Sequence, residues 1–174
     1  MPVYAGVFCS KILVNNGEFN MIKVMFVCHG NICRSPMAEF VFKDMVKERG
    51  LSDLFMIASC ATSREELGNP VHPGTRNILN KLNISCTGKK AVQMTLKDYE
   101  MYDYILAMDK FNIRNIYGIT GGDPKHKIKR LLDYSKNPRD ISDPWYTDNF
   151  DLTYSDIVEG CNAFFDYLIE NRII

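Results

Sequence analysis

The sequence lacks an excess of charge of either sign and has no long apolar run. Lysine plus arginine and aspartate plus glutamate each number 21, so the formal net charge at pH 7 is zero. Without a global basic field, we expect no binding to nucleic acid or to an acidic membrane surface. No apolar stretch reaches the roughly 20 residues that a transmembrane helix needs. Any site for an anion must therefore be local.

The sequence also has no convincing signal peptide and no need for structural disulfide bonds. The apolar stretch at residues 3–9 has no cationic residues before it and is soon followed by Lys11, so it is a poor signal peptide. A chain of 174 residues with 46% apolar residues can bury a single core without disulfides. We therefore expect a cytoplasmic protein whose six cysteines are reduced, namely Cys9, Cys28, Cys33, Cys60, Cys86 and Cys161.

The first well-patterned segment opens at Met21, after a turn-like Asn15-Asn16-Gly17. We predict one domain over residues 21–174, preceded by an N-terminal extension, residues 1–20, of unassigned status. Residues 22–27 form a nearly continuous apolar run, as expected for a parallel strand buried on both faces. Ser35 is predicted to cap a helix that has Pro36 at its first position and ends before Gly50.

Strand and helix patterns alternate along the rest of the chain. Further strands are predicted at residues 55–59, 104–108 and 128–132, and further helices at 73–82, 95–99, 109–117 and 153–171. This alternation predicts an α/β fold, a doubly wound four-stranded parallel sheet with helices on both faces.

The segment between the first strand and the first helix has the composition of an anion-binding loop. Gly30 and Asn31 can adopt positive φ angles, so backbone N–H groups can surround an oxyanion at the helix N-terminus. Arg34 can hold two oxygens of a phosphate, and with the Ser35 hydroxyl it favours a thiolate at Cys28. A cysteine and an arginine at this spacing often occur by chance, but the complete loop is specific. It reads Cys28-His29-Gly30-Asn31-Ile32-Cys33-Arg34-Ser35-Pro36.

A second candidate segment is the long stretch without periodicity at residues 133–151, which contains Asp143-Pro144-Trp145-Tyr146. Long ordered loops of this kind often carry function. Taken alone, Asp143 before Pro144 is a common turn.

Together these motifs resemble the low-molecular-weight protein-tyrosine phosphatases, in particular bacterial members, over residues 21–174. The loop from Cys28 to Pro36 resembles their phosphate-binding signature, and Asp143 to Tyr146 is similar to their acid loop. The resemblance implies a two-step reaction in which Cys28 takes the phosphoryl group, Arg34 clamps it, and Asp143 acts first as acid and then as base. It implies no metal and no cofactor. The implied partners are phosphotyrosine-containing proteins or peptides, with inorganic phosphate as a product.

The resemblance also implies roles for the residues around the three catalytic ones. Cys33 would form a reversible disulfide with Cys28 on oxidation, and Trp145 and Tyr146 would wall the entrance and stack on a phenol ring. Asn31, Ser35 and Ser59 would support the loop by hydrogen bonds. The other expected phosphate- or substrate-binding positions are His29, Gly30, Asn31, Ile32, Cys33 and Ser35.

Three positions depart from the family pattern. His29 stands where an aliphatic residue or threonine is more usual. Lys89-Lys90-Ala91-Val92 replaces a His-x-Ala-Arg run, so the loop support given by that histidine is unassigned, and His72 does not replace it by position. Glu65 falls near the place of a pocket-wall aromatic residue.

Alternative functions share parts of the same motif. Protein-arginine phosphatases of this fold resemble one another in carrying threonine where this chain has Ile32, which favours a phenol ring over a guanidinium. Arsenate reductases need closely spaced resolving cysteines, whereas only Cys161 follows Cys86. A zinc site at Cys28 and Cys33 lacks a second pair of ligands. A module that binds phosphotyrosine without hydrolysing it would not need Asp143.

Overall fold

The computed structural model describes residues 21–174 and forms a four-stranded parallel sheet. Its strands, β1 to β4, lie in the spatial order β2-β1-β3-β4. The chain therefore winds outward from β1 in both directions, which confirms the predicted doubly wound α/β fold. The predicted extension at residues 1–20 lies outside the described residues and stays a prediction. The strands are Ile22–Cys28, Phe55–Ala61, Tyr104–Ala107 and Ile128–Arg130.

Among the described residues, six α-helices connect or follow these strands, and short 3₁₀ turns lie at Ser52–Leu54 and Leu131–Tyr134. None of the helices within residues 21–174 is both long enough and apolar enough to cross a bilayer. The helices, α1 to α6, are Arg34–Glu48, Pro73–Lys81, Leu96–Met101, Lys110–Thr120, Pro144–Thr147 and Phe150–Glu170.

The central strand β1 separates two apolar clusters. Phe26 and its alternate neighbours pack in a cluster with Phe42 of α1 and Phe164 of α6. Val27, which points to the opposite face, packs in a second cluster with Ile116 of α4. Helices therefore cover both faces, as the continuous apolar run of β1 predicts, and the carboxyl ends of β1 and β3 meet at one edge of the sheet.

Most predicted element boundaries differ from the structure by one to three residues, and two of these differences have a clear physical cause. The strand predicted over residues 128–132 ends at Arg130, because Leu131 turns into the 3₁₀ segment and packs against α6. A Cβ atom on Gly160 of α6 would lie 2.5 Å from Cγ of Leu131, so glycine permits this close approach. Helix α6 begins at Phe150 rather than at residue 153, because the side chain of Asn149 accepts a hydrogen bond from the N–H of Leu152.

The prediction that Ser35 caps the first helix is wrong. Helix α1 already begins at Arg34, and the preceding Cys33 makes no capping hydrogen bond through its side chain. Ser35 lies in the first turn, where its Oγ is 3.0 Å from Sγ of Cys28 and accepts from Asn31 Nδ2. The Ser35 hydroxyl therefore contacts Cys28 and Asn31 of the loop and does not cap the helix.

Candidate active site

The segment that joins β1 to α1 places the sulfur of Cys28 among hydrogen-bond donors. The backbone N–H of Asn31 donates to Sγ at 3.3 Å, and the Ser35 hydroxyl lies 3.0 Å from the same atom. Asn31 has a φ of 58°, a conformation that turns successive backbone N–H groups inward. The N-terminus of α1 adds the positive end of its dipole. These contacts direct hydrogen-bond donors at the Cys28 sulfur.

Gly30 has a different role from the predicted one. It is not among the described glycines with positive φ. A Cβ atom there would instead lie 3.2 Å from Cγ of Glu66. Glycine at this position therefore provides space for the neighbouring segment to approach the loop.

The loop is supported from below by the three predicted residues. Asn31 Nδ2 donates to Oγ of Ser35 and to Oγ of Ser59, each at 2.9 Å. Asn31 Oδ1 accepts from the N–H of Val92 at 3.2 Å. Asn31 and Ser59 are both 1% exposed, so these bonds hold the positive φ of Asn31 away from solvent.

Two further supports, Glu39 and Lys89, were missed by the sequence reasoning. Ser59 Oγ donates to Oε2 of Glu39 at 2.5 Å. Lys89 Nζ lies 2.9 Å from the same carboxylate oxygen and also donates to the carbonyl of Ser59 at 2.9 Å. Lys89 thus supports the loop at the place where the resemblance implies a histidine. The signal that could have found this pair is Glu39 on α1, on the side of the helix that faces the core. A buried carboxylate needs a partner, and Glu39 is only 4% exposed.

Arg34 is almost completely buried and joins the loop to two other segments. Its Nη1 donates to Oδ2 of Asp109 at 2.6 Å and to the carbonyl of Ile141 at 3.0 Å, while Nη2 donates to Oδ2 of Asp143 at 2.9 Å. Burial acts against the charged guanidinium, but the charges of Cys28 and Asp143 and the hydrogen bond to Asp109 outweigh it, so the pKa of Arg34 is raised.

Asp109 was also missed, because it follows β3 and has no local motif. Its Oδ1 accepts from the N–H of Asn112 at 2.7 Å and so caps α4. Its other oxygen is the one that holds Arg34. The signal that could have found it is its place directly after a buried strand, at the edge of the sheet where Cys28 also lies.

Asp143 lies at the start of α5, beside the same cavity as Cys28. Its Oδ1 accepts from the N–H of Trp145 at 3.1 Å, which fixes the turn, and its Oδ2 contacts Arg34. The side chain is 23% exposed, so solvent reaches it through the cavity. A carboxyl group in this position can exchange a proton with a group bound above Cys28.

Cys33 also lines the cavity but is chemically unlike Cys28. Burial, followed by the charges of Cys28 and Asp143, raises the pKa of Cys33 to about 12. It is therefore a protonated thiol at neutral pH. Within residues 21–174 the cysteines are free thiols.

The mouth of the cavity has two unlike sides. Trp145 and Tyr146 are 58% and 84% exposed and form an aromatic side. Glu65 and Glu66 form the other side, and His29 Nε2 lies 3.0 Å from Oε2 of Glu65. Most of the predicted site residues therefore line one cavity. The exceptions are Asn31, Ser35 and Ser59, which lie beneath the loop and support it.

His72 links the aromatic side to the catalytic loop. Its backbone N–H donates to the carbonyl of Ile32 at 2.8 Å. Its ring stacks on Phe150 with centroids 5.1 Å apart and meets the Trp145 ring edge-on at 6.0 Å. Among residues 21–174, no group of three or more His, Cys, Asp or Glu side chains is placed to hold a metal ion.

Comparison with known proteins agrees with this geometry. The sequence model of the low molecular weight phosphotyrosine protein phosphatase family matches residues 23–173. The chain is 43% identical over 143 residues to the low molecular weight protein-tyrosine-phosphatase YfkJ of Bacillus subtilis, which covers 81% of this chain and 92% of YfkJ. It is 38% identical over 152 residues to PtpA of Staphylococcus aureus, which covers 87% of this chain and 96% of PtpA.

Solved structures give the same result. The crystal structure of YfkJ superposes with a TM-score of 0.82 at 40% identity and covers 87% of this chain and 97% of that one. The phosphatase SP-PTP of Streptococcus pyogenes superposes with a TM-score of 0.75 at 42% identity and covers 86% and 93% of the two chains. The match in sequence and in fold confirms the resemblance, and the chain belongs to the low molecular weight phosphotyrosine protein phosphatase family.

Proposed function

We propose that Cys28, Arg34 and Asp143 carry out the phosphotyrosine hydrolysis of this phosphatase. The observation that supports this assignment is their convergence on one cavity, with donors directed at the Cys28 sulfur. In the first step the Cys28 thiolate attacks phosphorus, an S–P bond forms, and the bond from phosphorus to the phenolic oxygen breaks. Asp143 gives its proton to that oxygen. In the second step Asp143 takes a proton from water, the water oxygen attacks phosphorus, and inorganic phosphate leaves the regenerated thiolate.

Arg34 holds the phosphoryl group while these bonds change. Its planar fork suits two oxygens of a phosphate. In the free site Nη2 contacts Asp143 and Nη1 contacts Asp109. A phosphate oxygen that binds Nη2 takes the place of the Asp143 carboxylate, which leaves that group free to carry a proton to the substrate. Asp109 keeps the guanidinium in position throughout.

Asn31, Ser35 and Ser59 hold the loop around the phosphate, and Glu39 and Lys89 position them from below. A concave loop with a positive φ at Asn31 is stable only where the surroundings fix it. Asn31 and Ser35 also contact the Cys28 sulfur and belong to the loop that binds the phosphate, whereas Ser59, Glu39 and Lys89 act through them as positioning residues.

The substrate is an aryl phosphate on a protein or peptide. Ile32, Trp145 and Tyr146 offer apolar and aromatic surface beside the nucleophile, which suits a phenol ring by dispersion and stacking. A guanidinium bound there would lack the hydroxyl acceptor that a threonine supplies at the position of Ile32. The five free thiols of the described residues fit a reducing cytoplasm, where we place the protein.

Cys33 protects the nucleophile from irreversible oxidation. Peroxide converts the Cys28 thiolate to a sulfenic acid, and the Cys33 sulfur then attacks that sulfur, so a disulfide forms and water leaves. Both cysteines line the same cavity. A dithiol restores the two thiols by exchange.

The test of the catalytic assignment is turnover of a generic aryl phosphate by Cys28→Ser and Arg34→Lys variants. We expect each variant to lose at least about a thousandfold in kcat/KM, because one lacks the nucleophile and the other the bidentate clamp. Cys86→Ser is the matched control, since Cys86 is a free cysteine outside the cavity. Circular dichroism checks the fold. Substantial activity in Cys28→Ser would refute the mechanism.

A further inference from the structure

The acidic side of the cavity mouth belongs to the segment between β2 and α2, residues 62–72. Two adjacent residues of this segment, Glu65 and Glu66, line the cavity opposite Trp145 and Tyr146. We call this pair the acidic wall. The hydrolysis itself, as assigned above, uses neither carboxylate. The wall therefore needs an explanation of its own.

Backbone hydrogen bonds fix the segment to the catalytic loop. The N–H of Thr62 donates to the carbonyl of Cys28 at 2.9 Å, and the N–H of Ser63 donates to the carbonyl of His29 at 3.0 Å. Farther along, the N–H of Gly68 donates to the carbonyl of Ala91 at 2.9 Å. The acidic wall thus stands at a fixed place relative to Cys28.

The side chains of the wall are held as well. Glu66 Oε2 accepts from Nδ2 of Asn69 at 2.6 Å, and its stem packs over Gly30. Glu65 Oε2 contacts Nε2 of His29 at 3.0 Å, while 71% of the Glu65 side chain stays exposed. Both carboxylates thus have one fixed oxygen and present negative charge to the cavity mouth.

Among the described residues, His29 is the basic side chain in contact with the wall, through Glu65. Within the described part of the chain, neither Glu65 nor Glu66 forms an ion pair with a lysine or an arginine. Arg64 precedes them but does not line the cavity. The arginine that does line it, Arg34, is already paired with Asp109 and Asp143. A substrate therefore meets net negative charge at the mouth before its phosphate reaches the donors below.

We propose that the acidic wall selects phosphotyrosine substrates that carry a lysine or an arginine beside the phosphotyrosine. The inference rests on the function proposed above. When the phosphotyrosine ring occupies the cavity with its phosphate over Cys28, the neighbouring peptide residues lie at the mouth, next to Glu65 and Glu66. A cationic neighbour gains Coulomb energy there, whereas an acidic neighbour is repelled. Trp145 on the opposite side can also stack against a guanidinium.

The test uses three phosphotyrosine peptides that differ only in the two residues flanking phosphotyrosine, which are lysine, alanine or glutamate. An exposed ion pair changes an equilibrium by at most about fivefold, so two carboxylates acting on flanking charges predict roughly a tenfold range. We expect wild-type kcat/KM to be about tenfold higher for the lysine peptide than for the glutamate peptide at low ionic strength. This ratio should fall towards about twofold in 1 M salt.

The double variant Glu65→Gln/Glu66→Gln removes both charges and keeps the side-chain shape. We expect its lysine-to-glutamate ratio to fall to about twofold. The matched control is Glu48→Gln/Glu170→Gln, which removes two exposed carboxylates at the ends of α1 and α6. Glu48 lies at the end of a 15-residue helix that starts at the site, so it is roughly 20 Å away. The control should keep the wild-type ratio.

Two outcomes would overturn the proposal while the phosphatase mechanism stands. One is equal kcat/KM for the lysine and glutamate peptides with the wild-type protein. The other is a preference for lysine that persists unchanged in Glu65→Gln/Glu66→Gln. Absence of hydrolysis of all three peptides would instead overturn the proposed function, and this inference with it.

Discussion

Replacing Lys89 by methionine removes an ammonium group from the hydrogen-bonded network that supports the catalytic loop. In this network Lys89 contacts Glu39 and the carbonyl of Ser59. The variant keeps an unbranched side chain of similar length but leaves Glu39, whose side chain is 5% exposed, without the Nζ atom now 2.9 Å away. It also leaves the carbonyl of Ser59 without its donor. Removing one partner of a buried ion pair costs about 3–5 kcal/mol in the free energy of unfolding.

We expect the lower end of that range, because a second cation remains. Lys43 Nζ lies 2.5 Å from Oε1 of Glu39, but its side chain is 42% exposed, so it compensates only in part. A loss of about 3 kcal/mol in a protein of this size lowers the melting temperature by about 6–12 °C. Urea unfolding and calorimetry measure the two quantities.

The same variant should affect the active site as well as the stability. With Ser59 and Asn31 less firmly held, fewer donors stay directed at the Cys28 sulfur, so we expect iodoacetate to alkylate Cys28 about tenfold more slowly at a fixed pH, and kcat to fall with it. A residue that only stabilised the fold would lower the melting temperature without slowing alkylation of the folded protein. Lys89→Arg, which keeps the charge, should retain most of both properties.

The double variant Glu39→Gln/Lys89→Met measures how much of the stability depends on the interaction between the two side chains. Because a neutral amide tolerates burial better than an unpaired carboxylate, the double variant should lose at least about 1 kcal/mol less than the sum of the two single losses. Additive losses would contradict the coupling. Wild-type unfolding and alkylation in Lys89→Met would refute the positioning role altogether.

Three further predictions concern the residues of the cavity itself. Asp143→Asn should slow the hydrolysis of aryl phosphates with poorly acidic phenols by about 10²- to 10⁴-fold but affect activated ones far less, since only the former need the proton; equal losses across a series of leaving groups would remove Asp143 from the acid role. Peroxide should inactivate the wild-type enzyme reversibly, and Cys33→Ser should make recovery with a dithiol incomplete; unchanged recovery would leave Cys33 with only a packing role. On matched peptides the wild-type kcat/KM should be highest for phosphotyrosine, and Ile32→Thr should gain activity on phosphoarginine; equal or better wild-type turnover of phosphoarginine would overturn the tyrosine preference while leaving the Cys28 mechanism in place.

The sequence predicted best those parts of the site that are local in the chain. Cys28 and Arg34 lie on one loop between a strand and a helix, so their spacing alone brings them together. Asp143 was predicted from the resemblance of its Asp-Pro-aromatic-Tyr motif to the acid loop of the family, together with the need of a phenolate leaving group for a proton. The four strands and their parallel order were predictable for a similar reason, because the alternation of apolar runs with helical periodicity allows few topologies.

The parts that were missed depend on contacts between distant segments. Glu39 and Lys89 meet only because α1 and the segment after α2 both pack beside the end of β2. Asp109 reaches Arg34 only because β3 lies next to β1. The error at Ser35 has the same origin, since a local rule assigns its hydroxyl to the helix backbone whereas the folded loop directs it to Cys28.

The contacts of Arg34 explain why these distant segments must meet before the site exists. The guanidinium joins the loop after β1 to Asp109 after β3, to the carbonyl of Ile141 and to Asp143 at the start of α5. A buried guanidinium without such partners would cost several kcal/mol, so the two carboxylates stabilise Arg34 in its buried position. The two carboxylates differ in how firmly the fold holds them. Asp109 is fixed by its second role as the cap of α4, whereas Asp143 lies on a short turn at the cavity. In the proposed mechanism, phosphate therefore replaces Asp143 and not Asp109 at the guanidinium, so that binding of the substrate and release of its general acid would occur at the same nitrogen atom.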